Sequence, residues 1–117
     1  MKKIYHLSTC DTCQRILKEL HPLEGFTLQD IKSESITAKQ LEQMRELSGS
    51  YEALFSKRAR LYREKGLNDK KLSETDYKNL ILEHYTFLKR PVVQVDSQIF
   101  IGNSKKVVSA AKESIHS

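Results

Sequence analysis

Lys3-Ile-Tyr-His-Leu-Ser-Thr-Cys10-Asp-Thr-Cys13-Gln-Arg-Ile-Leu-Lys-Glu-Leu20 is the stretch whose two periodicities decide the fold. Residues 3–7 alternate in the manner of a short strand, and Ser8-Thr9 break the alternation. From Cys10 onward Cys13, Ile16, Leu17 and Leu20 recur at helical spacing, and His21-Pro22 followed by Gly25 supplies the stop. The reading is strand, cysteine turn, helix. Phe26 to Ile31 alternates again, and a helix of this length between two strands allows them to pair in parallel as a βαβ unit.

Further along, Thr37 with Gln40 three residues later has the form of a capping box. It opens a helix carrying Leu41, Met44 and Leu47 and ending at Gly49. Ser50 to Gly66 is basic, and its Tyr51, Leu54, Phe55, Leu61 and Tyr62 predict one or two short helices. Ser73 with Asp76 repeats the cap, and Tyr77, Leu80, Ile81, His84 and Tyr85 are expected on one face of the helix that follows. Past Arg90-Pro91, the β-rich runs Val92 to Val95 and Gln98 to Gly102 flank Asp96-Ser97 and predict an antiparallel hairpin. A last helix is expected from Ser104 to about Ile115, with Val107, Val108, Ala110 and Ala111 on its apolar side. The sum is α/β: a mixed four-stranded sheet with helices packed on it, in one domain spanning 1–117 with a helical insertion at about 35–87.

At 117 residues the chain can build a core without disulfide or metal staples. No stretch approaches the roughly 18 to 20 apolar residues needed to cross a bilayer, and the start Met-Lys-Lys-Ile-Tyr-His lacks the apolar run of a leader, so a cytoplasmic location without membrane attachment is expected. Twenty Lys and Arg against fifteen Asp and Glu give net +5, interspersed rather than gathered in one block. That balance fits a small anionic substrate or a weak nucleic-acid surface and singles out neither; a solvated surface accounts for pairs such as Lys70-Lys71 and Lys105-Lys106. Direct DNA binding is not expected.

The two cysteines sit three positions apart, which suits a site better than a secreted disulfide scaffold. A C-x-x-C directly after a strand and at the start of a helix works as a redox pair because unpaired N–H groups and the helix dipole favour an anion at Cys10. Cys13, one turn inside, is less accessible and can attack a mixed disulfide. Half of a zinc site is the alternative, but His6, His21, His84 and His116 have no spacing typical of zinc partners, and no metal is expected. Two inert buried cysteines are a third reading. Leu88-Lys89-Arg90-Pro91 before an apolar strand could carry a cis peptide and place a cation near a bound anion, although the local pattern favours a trans proline with Arg90 solvated. Ser56-Lys57-Arg58-Ala59-Arg60 reads in isolation as a solvated basic face.

Taken together, the cysteine loop at Cys10, Ser56-Lys57-Arg58, Lys89-Arg90-Pro91 and Ile101-Gly102 resemble, in order and spacing over nearly the whole chain, the ArsC/Spx family. Arsenate reductases coupled to glutaredoxin, the regulator Spx and YffB-like proteins form that family. The resemblance implies a thioredoxin-like (glutaredoxin-like) fold in which the middle helices are the insertion and a cis Pro91 faces the cysteine loop. It implies that Cys10 is the nucleophile and that Arg58 and Arg90 match arginines surrounding a bound oxyanion, with Thr9, Thr12 and Pro91 lining the substrate position. A guanidinium there can stabilise a thiolate and bond an oxyanion bidentately. Two positions depart from the arsenate-reducing pattern: Ile101 falls where a third arginine is found, and Gln14 where a basic residue is common.

Two functions follow from this resemblance. One is a reductase of a small oxyanion or thiol substrate, with Cys13 or an external thiol resolving the intermediate. It binds no cofactor and draws electrons from glutathione with glutaredoxin, or from thioredoxin, as redox partner. The other is a Spx-like redox-sensing regulator, in which a Cys10-Cys13 disulfide alters binding to the RNA polymerase α subunit and Gly49 lies in the region of that contact.

Overall fold

The computed structural model describes residues 1–117 and divides into two compact units, one of Met1–Ser35 with Arg90–Ser117 and the other of Ile36–Lys89.

In the first unit, β1 (Lys2–His6) leads into α1 (Asp11–Leu20), and the chain returns as β2 (Thr27–Asp30). β1 and β2 pair in parallel, with Ile4 opposite Leu28 and His6 opposite Asp30, so the βαβ reading holds. The later strands β3 (Val92–Val95) and β4 (Gln98–Ile101) form the expected hairpin, and β3 pairs antiparallel with β1, Tyr5 opposite Val92. The sheet order is β2-β1-β3-β4, a mixed four-stranded sheet. Asp96 makes the two-residue turn possible by taking a left-handed φ of 55°, a conformation Asp tolerates better than most residues, and its carboxylate accepts from the N-terminal amine of Met1 at 3.0 Å.

Alternation along the strands puts Ile4, Val93 and Val95 on one face. There they bury Ile16, Leu17 and Leu20 of α1 and Val108 and Ala111 of α5 (Lys105–His116). Phe100, opposite Val93, packs against the same cluster. Tyr5, Gln29, Val92 and Gln94 project to the opposite face and are buried too. Sequence periodicity placed Ala110 in the core, but α5 is turned so that Val108 and Ala111 are buried and Ala110 is exposed. His116 ties the end of α5 to α1, its Nε2 lying 2.8 Å from the Leu20 carbonyl.

The second unit is helical. α2 (Ala38–Ser48) begins with the expected capping box, the Gln40 N–H donating to Thr37 Oγ1 and the Thr37 N–H to Gln40 Oε1, both at 3.1 Å. It ends at Gly49, whose φ of 93° is the left-handed cap that glycine adopts without strain. A single turn at Glu52–Leu54, α3 (Arg60–Glu64) and a turn at Leu67–Asp69 follow. α4 (Glu74–Glu83) opens with the Ser73/Asp76 box, and the Glu74 carboxylate accepts the N–H groups of Tyr51 and Glu52 at 2.6 and 3.1 Å. Phe55 lies at the centre of the aromatic core, stacked on Phe87 and packed against Tyr62 and Tyr77.

α4 ends at Glu83, two residues short of Tyr85, to which the apolar periodicity carries it. His84 is extended, with φ −148° and ψ 131°, and its Nδ1 accepts the Thr86 N–H to start a separate turn at Tyr85–Phe87. His84 and Tyr85 therefore leave the helix face assigned to them. No helix is long and apolar enough to cross a membrane.

Candidate functional site

The site lies in the first unit, at the end of β1. Leaving the sheet after His6, the chain makes a four-residue turn closed by the Cys10 N–H donating to the Leu7 carbonyl at 3.0 Å, and Cys10 becomes the N-cap of α1. Cys10 keeps an extended backbone, φ −99° and ψ 112°, and its carbonyl accepts the Gln14 N–H at 3.1 Å. No side-chain cap is present at this terminus. The first-turn N–H groups are thus left for whatever the Cys10 side chain offers, and a thiolate is a suitable acceptor.

Those N–H groups bear on the ionisation of Cys10. Partial burial works against its ionisation. That cost is outweighed by the Cys13 N–H, the Cys13 thiol, the charge of Arg90 and the Thr12 N–H, so Cys10 ionises below the ordinary thiol range. Cys13, three residues into the helix, is 1 % exposed. Burial is the main reason its thiol is pushed up to about 11; the neighbouring Cys10 charge adds to the shift, and the Leu7 N–H partly offsets it. One cysteine is eased toward ionisation and the other held as the proton-bearing thiol. Both are free thiols.

Arg90 arrives through the sheet. Because β3 runs antiparallel to β1 with Val92 opposite Tyr5, the residues just before β3 are carried to the end of β1 where Cys10 stands. The Arg90-Pro91 bond is cis, as the resemblance implies and against the local pattern, and Pro91 is buried with its carbonyl accepting the Gly102 N–H at 3.0 Å. Of the residues singled out in the sequence, Cys10, Cys13, Thr12 and Arg90 interact in this unit. Thr9 is exposed in the turn, and Arg58 is exposed in the second unit just ahead of α3. No group of three or more His, Cys, Asp or Glu side chains is arranged to hold a metal ion.

Two further side chains grip the turn. Asp30 at the end of β2 accepts the Ser8 N–H and hydroxyl at 3.1 and 2.7 Å. Gln14 donates from Nε2 to the Leu7 carbonyl at 3.1 Å and lies 3.3 Å from His6 Nδ1. Sequence reading passes over Asp30, because its tie to Ser8 arises only from the parallel β1–β2 register, which sets Asp30 beside His6, two residues before Ser8.

A mixed sheet in the order β2-β1-β3-β4, with a C-x-x-C turn at the first helix and a cis proline opening the third strand, defines a thioredoxin-like protein. The sequence model of the ArsC family matches residues 5–111, and the chain belongs to that family. It is 27% identical over 105 residues to the global transcriptional regulator Spx 2 of Bacillus anthracis, covering 87% of this chain and 79% of that protein. Among solved structures it resembles an arsenate reductase from Vibrio cholerae, with a TM-score of 0.73, 24% identity and 96% and 95% of the two chains covered. It also resembles a possible arsenate reductase from Streptococcus mutans, with a TM-score of 0.72, 28% identity and 90% and 92% covered.

Proposed function

We propose that this chain is a thiol-disulfide redox protein of the ArsC/Spx type in which Cys10 is the nucleophile and Cys13 the resolving thiol. The opposite shifts of the two cysteines, one eased toward ionisation at a helix N-terminus beside Arg90 and the other buried and held protonated, carry this reading. The substrate class is a small disulfide or thiol-derived anion whose negative group meets Arg90.

In the first step the Cys10 thiolate attacks one sulfur of a substrate disulfide; a Cys10–substrate disulfide forms, and the other half leaves as a thiolate that takes up a proton. Cys13 then gives up its proton and attacks the Cys10 sulfur, releasing the second substrate thiol and leaving a Cys10-Cys13 disulfide. Two electrons have passed to the substrate. An external dithiol of the thioredoxin or glutaredoxin class, or two glutathione molecules, returns them. Arsenate is the less suited oxyanion substrate, because Ile101 offers no charge where the arsenate-reducing relatives carry an arginine.

The test is the pH dependence of Cys10 alkylation in the reduced protein, read by mass spectrometry, with a parallel assay for a Cys10-Cys13 disulfide after mild oxidation. An apparent pKa below the free-thiol value of about 8.5, with a disulfide that forms and is reduced again, is the expected result. An ordinary pKa with no disulfide would remove the reading.

The match to Spx 2 over 87% of the chain favours a second reading, a regulator whose binding to the RNA polymerase α subunit depends on the state of the cysteines. Binding of the isolated α subunit to the oxidised and reduced protein separates the two. Affinity that changes with redox state supports the regulator, and no binding in either state removes it.

A further inference from the structure

The turn that delivers Cys10 is short, polar and exposed at Ser8 and Thr9, so its own packing does little to hold it. Side-chain hydrogen bonds do that work from two directions. On the helix side, Gln14 Nε2 donates to the Leu7 carbonyl, the same oxygen that receives the Cys10 N–H. On the strand side stands Asp30. Its Oδ1 accepts the N–H groups of Ser8 and Lys32 at 3.1 and 3.3 Å, and its Oδ2 accepts the hydroxyls of Ser8 and Ser33 at 2.7 and 3.1 Å. Ser8 is the second residue of the four-residue turn, and both of its donors are spent on one carboxylate. Fixing that residue fixes the path of the chain into Cys10.

We propose that Asp30 is a positioning residue for Cys10: by holding Ser8 through two hydrogen bonds, it sets the turn so that the Cys10 sulfur lies within reach of the Thr12 and Cys13 N–H groups. The inference rests on the reading of Cys10 as the nucleophile and adds to it a residue 20 positions away that acts through Ser8. The two lower bonds of Asp30, to Lys32 and Ser33, lie within its own β2 exit and serve that segment alone.

The geometry makes the role separable from two simpler ones. If Asp30 acted on Cys10 only through its charge, neutralising it would ease ionisation of the thiol and speed alkylation at neutral pH. A positioning role has the opposite sign, because a loosened turn lets the sulfur drift from the N–H groups that stabilise its anion. If Asp30 merely stabilised the fold, it would not matter which of its hydroxyl partners was removed. Ser8 and Ser33 donate to the same oxygen, and only one of them leads to Cys10.

The experiment measures the rate of Cys10 alkylation against pH in the reduced full-length protein and in D30N, S8A and S33A, with thermal unfolding of each recorded alongside. Alkylation at pH 7 is expected to slow about tenfold in D30N as the thiolate fraction falls, to slow less but in the same direction in S8A, and to match the unaltered protein in S33A. Should D30N fail to fold, the contrast between S8A and S33A decides the matter. Faster or unchanged alkylation in D30N and S8A, or equal slowing in S8A and S33A, overturns the positioning role and leaves Cys10 as nucleophile untouched. An ordinary Cys10 pKa in the unaltered protein overturns both together.

Discussion

Cys10 and Cys13 stand one helical turn apart and ionise in opposite directions, because one faces the N–H groups of the helix start and the other is turned into the core. Each substitution therefore has its own signature. Cys10→Ser removes the nucleophile, and turnover with any disulfide substrate is expected to disappear; residual turnover would mean that another group attacks. Cys13→Ser keeps a hydroxyl that can still donate to the Cys10 anion, so the first attack proceeds and the mixed disulfide accumulates instead of resolving, which intact-mass analysis detects as a stable adduct. Release of the adduct at the unaltered rate would transfer the resolving role to an external thiol. Arg90→Ala leaves the helix-terminal N–H groups in place and removes only the nearby cation. The alkylation curve for Cys10 is expected to move to higher pH, and a curve that does not move would take Arg90 out of the site.

At the level of the elements, the caps and the strand ends carry the predictions. Thr37→Ala breaks the hydroxyl half of the α2 capping box and should lower stability by about 1 kcal/mol, measured as the shift in a urea midpoint; no shift would mean that the first turn of α2 frays without consequence. Asp30 has a pH-dependent part. The Ser8 hydroxyl, followed by the Ser8 N–H, pulls its carboxyl from 3.8 down to about 2. Its contribution is accordingly complete above the unfolded value near 3.8 and lost as the pH falls through about 2. The stability difference between the unaltered protein and D30N should narrow from pH 5 to pH 2, and a constant difference across that range would contradict the assignment. These elements also mark how far sequence reading reaches. The C-x-x-C turn, both capping boxes and the Asp96-Ser97 hairpin are written locally, in residues at most a few positions apart, and all four were legible. His84 leaving α4 and the grip of Asp30 on Ser8 depend on partners chosen by tertiary structure, the Thr86 N–H and the β1–β2 register, and periodicity holds no record of them, while the cis form of Pro91 came from the family resemblance and not from the local pattern.

Over the whole molecule, the first unit is assembled from both ends of the sequence and the second from its middle. Residues 57–71, all in the second unit, hold seven Lys or Arg against two Asp or Glu, as much net positive charge as the entire chain carries. Lys57 and Lys65 in that run are paired with Glu52 and Glu83, both pairs exposed and so worth little to stability. The chain's net +5 gives it a positive field at neutral pH, to which Arg90 adds a local cation at the thiol. An anionic reagent should therefore reach Cys10 faster than a neutral one of equal intrinsic reactivity. The ratio of iodoacetate to iodoacetamide rates, normalised to glutathione, is expected to exceed one. It should fall as salt is raised from 0.01 M to 1 M, since the screening length shrinks from about 30 Å to about 3 Å. The distributed field vanishes over that range, while the close Arg90 contact is screened far less. Arg90→Ala should lower the ratio at every salt concentration and leave its slope in place. A ratio near one that ignores salt would mean that the net charge plays no part in bringing anions to the thiol, and the preference for anionic substrates would then rest on contacts made after encounter.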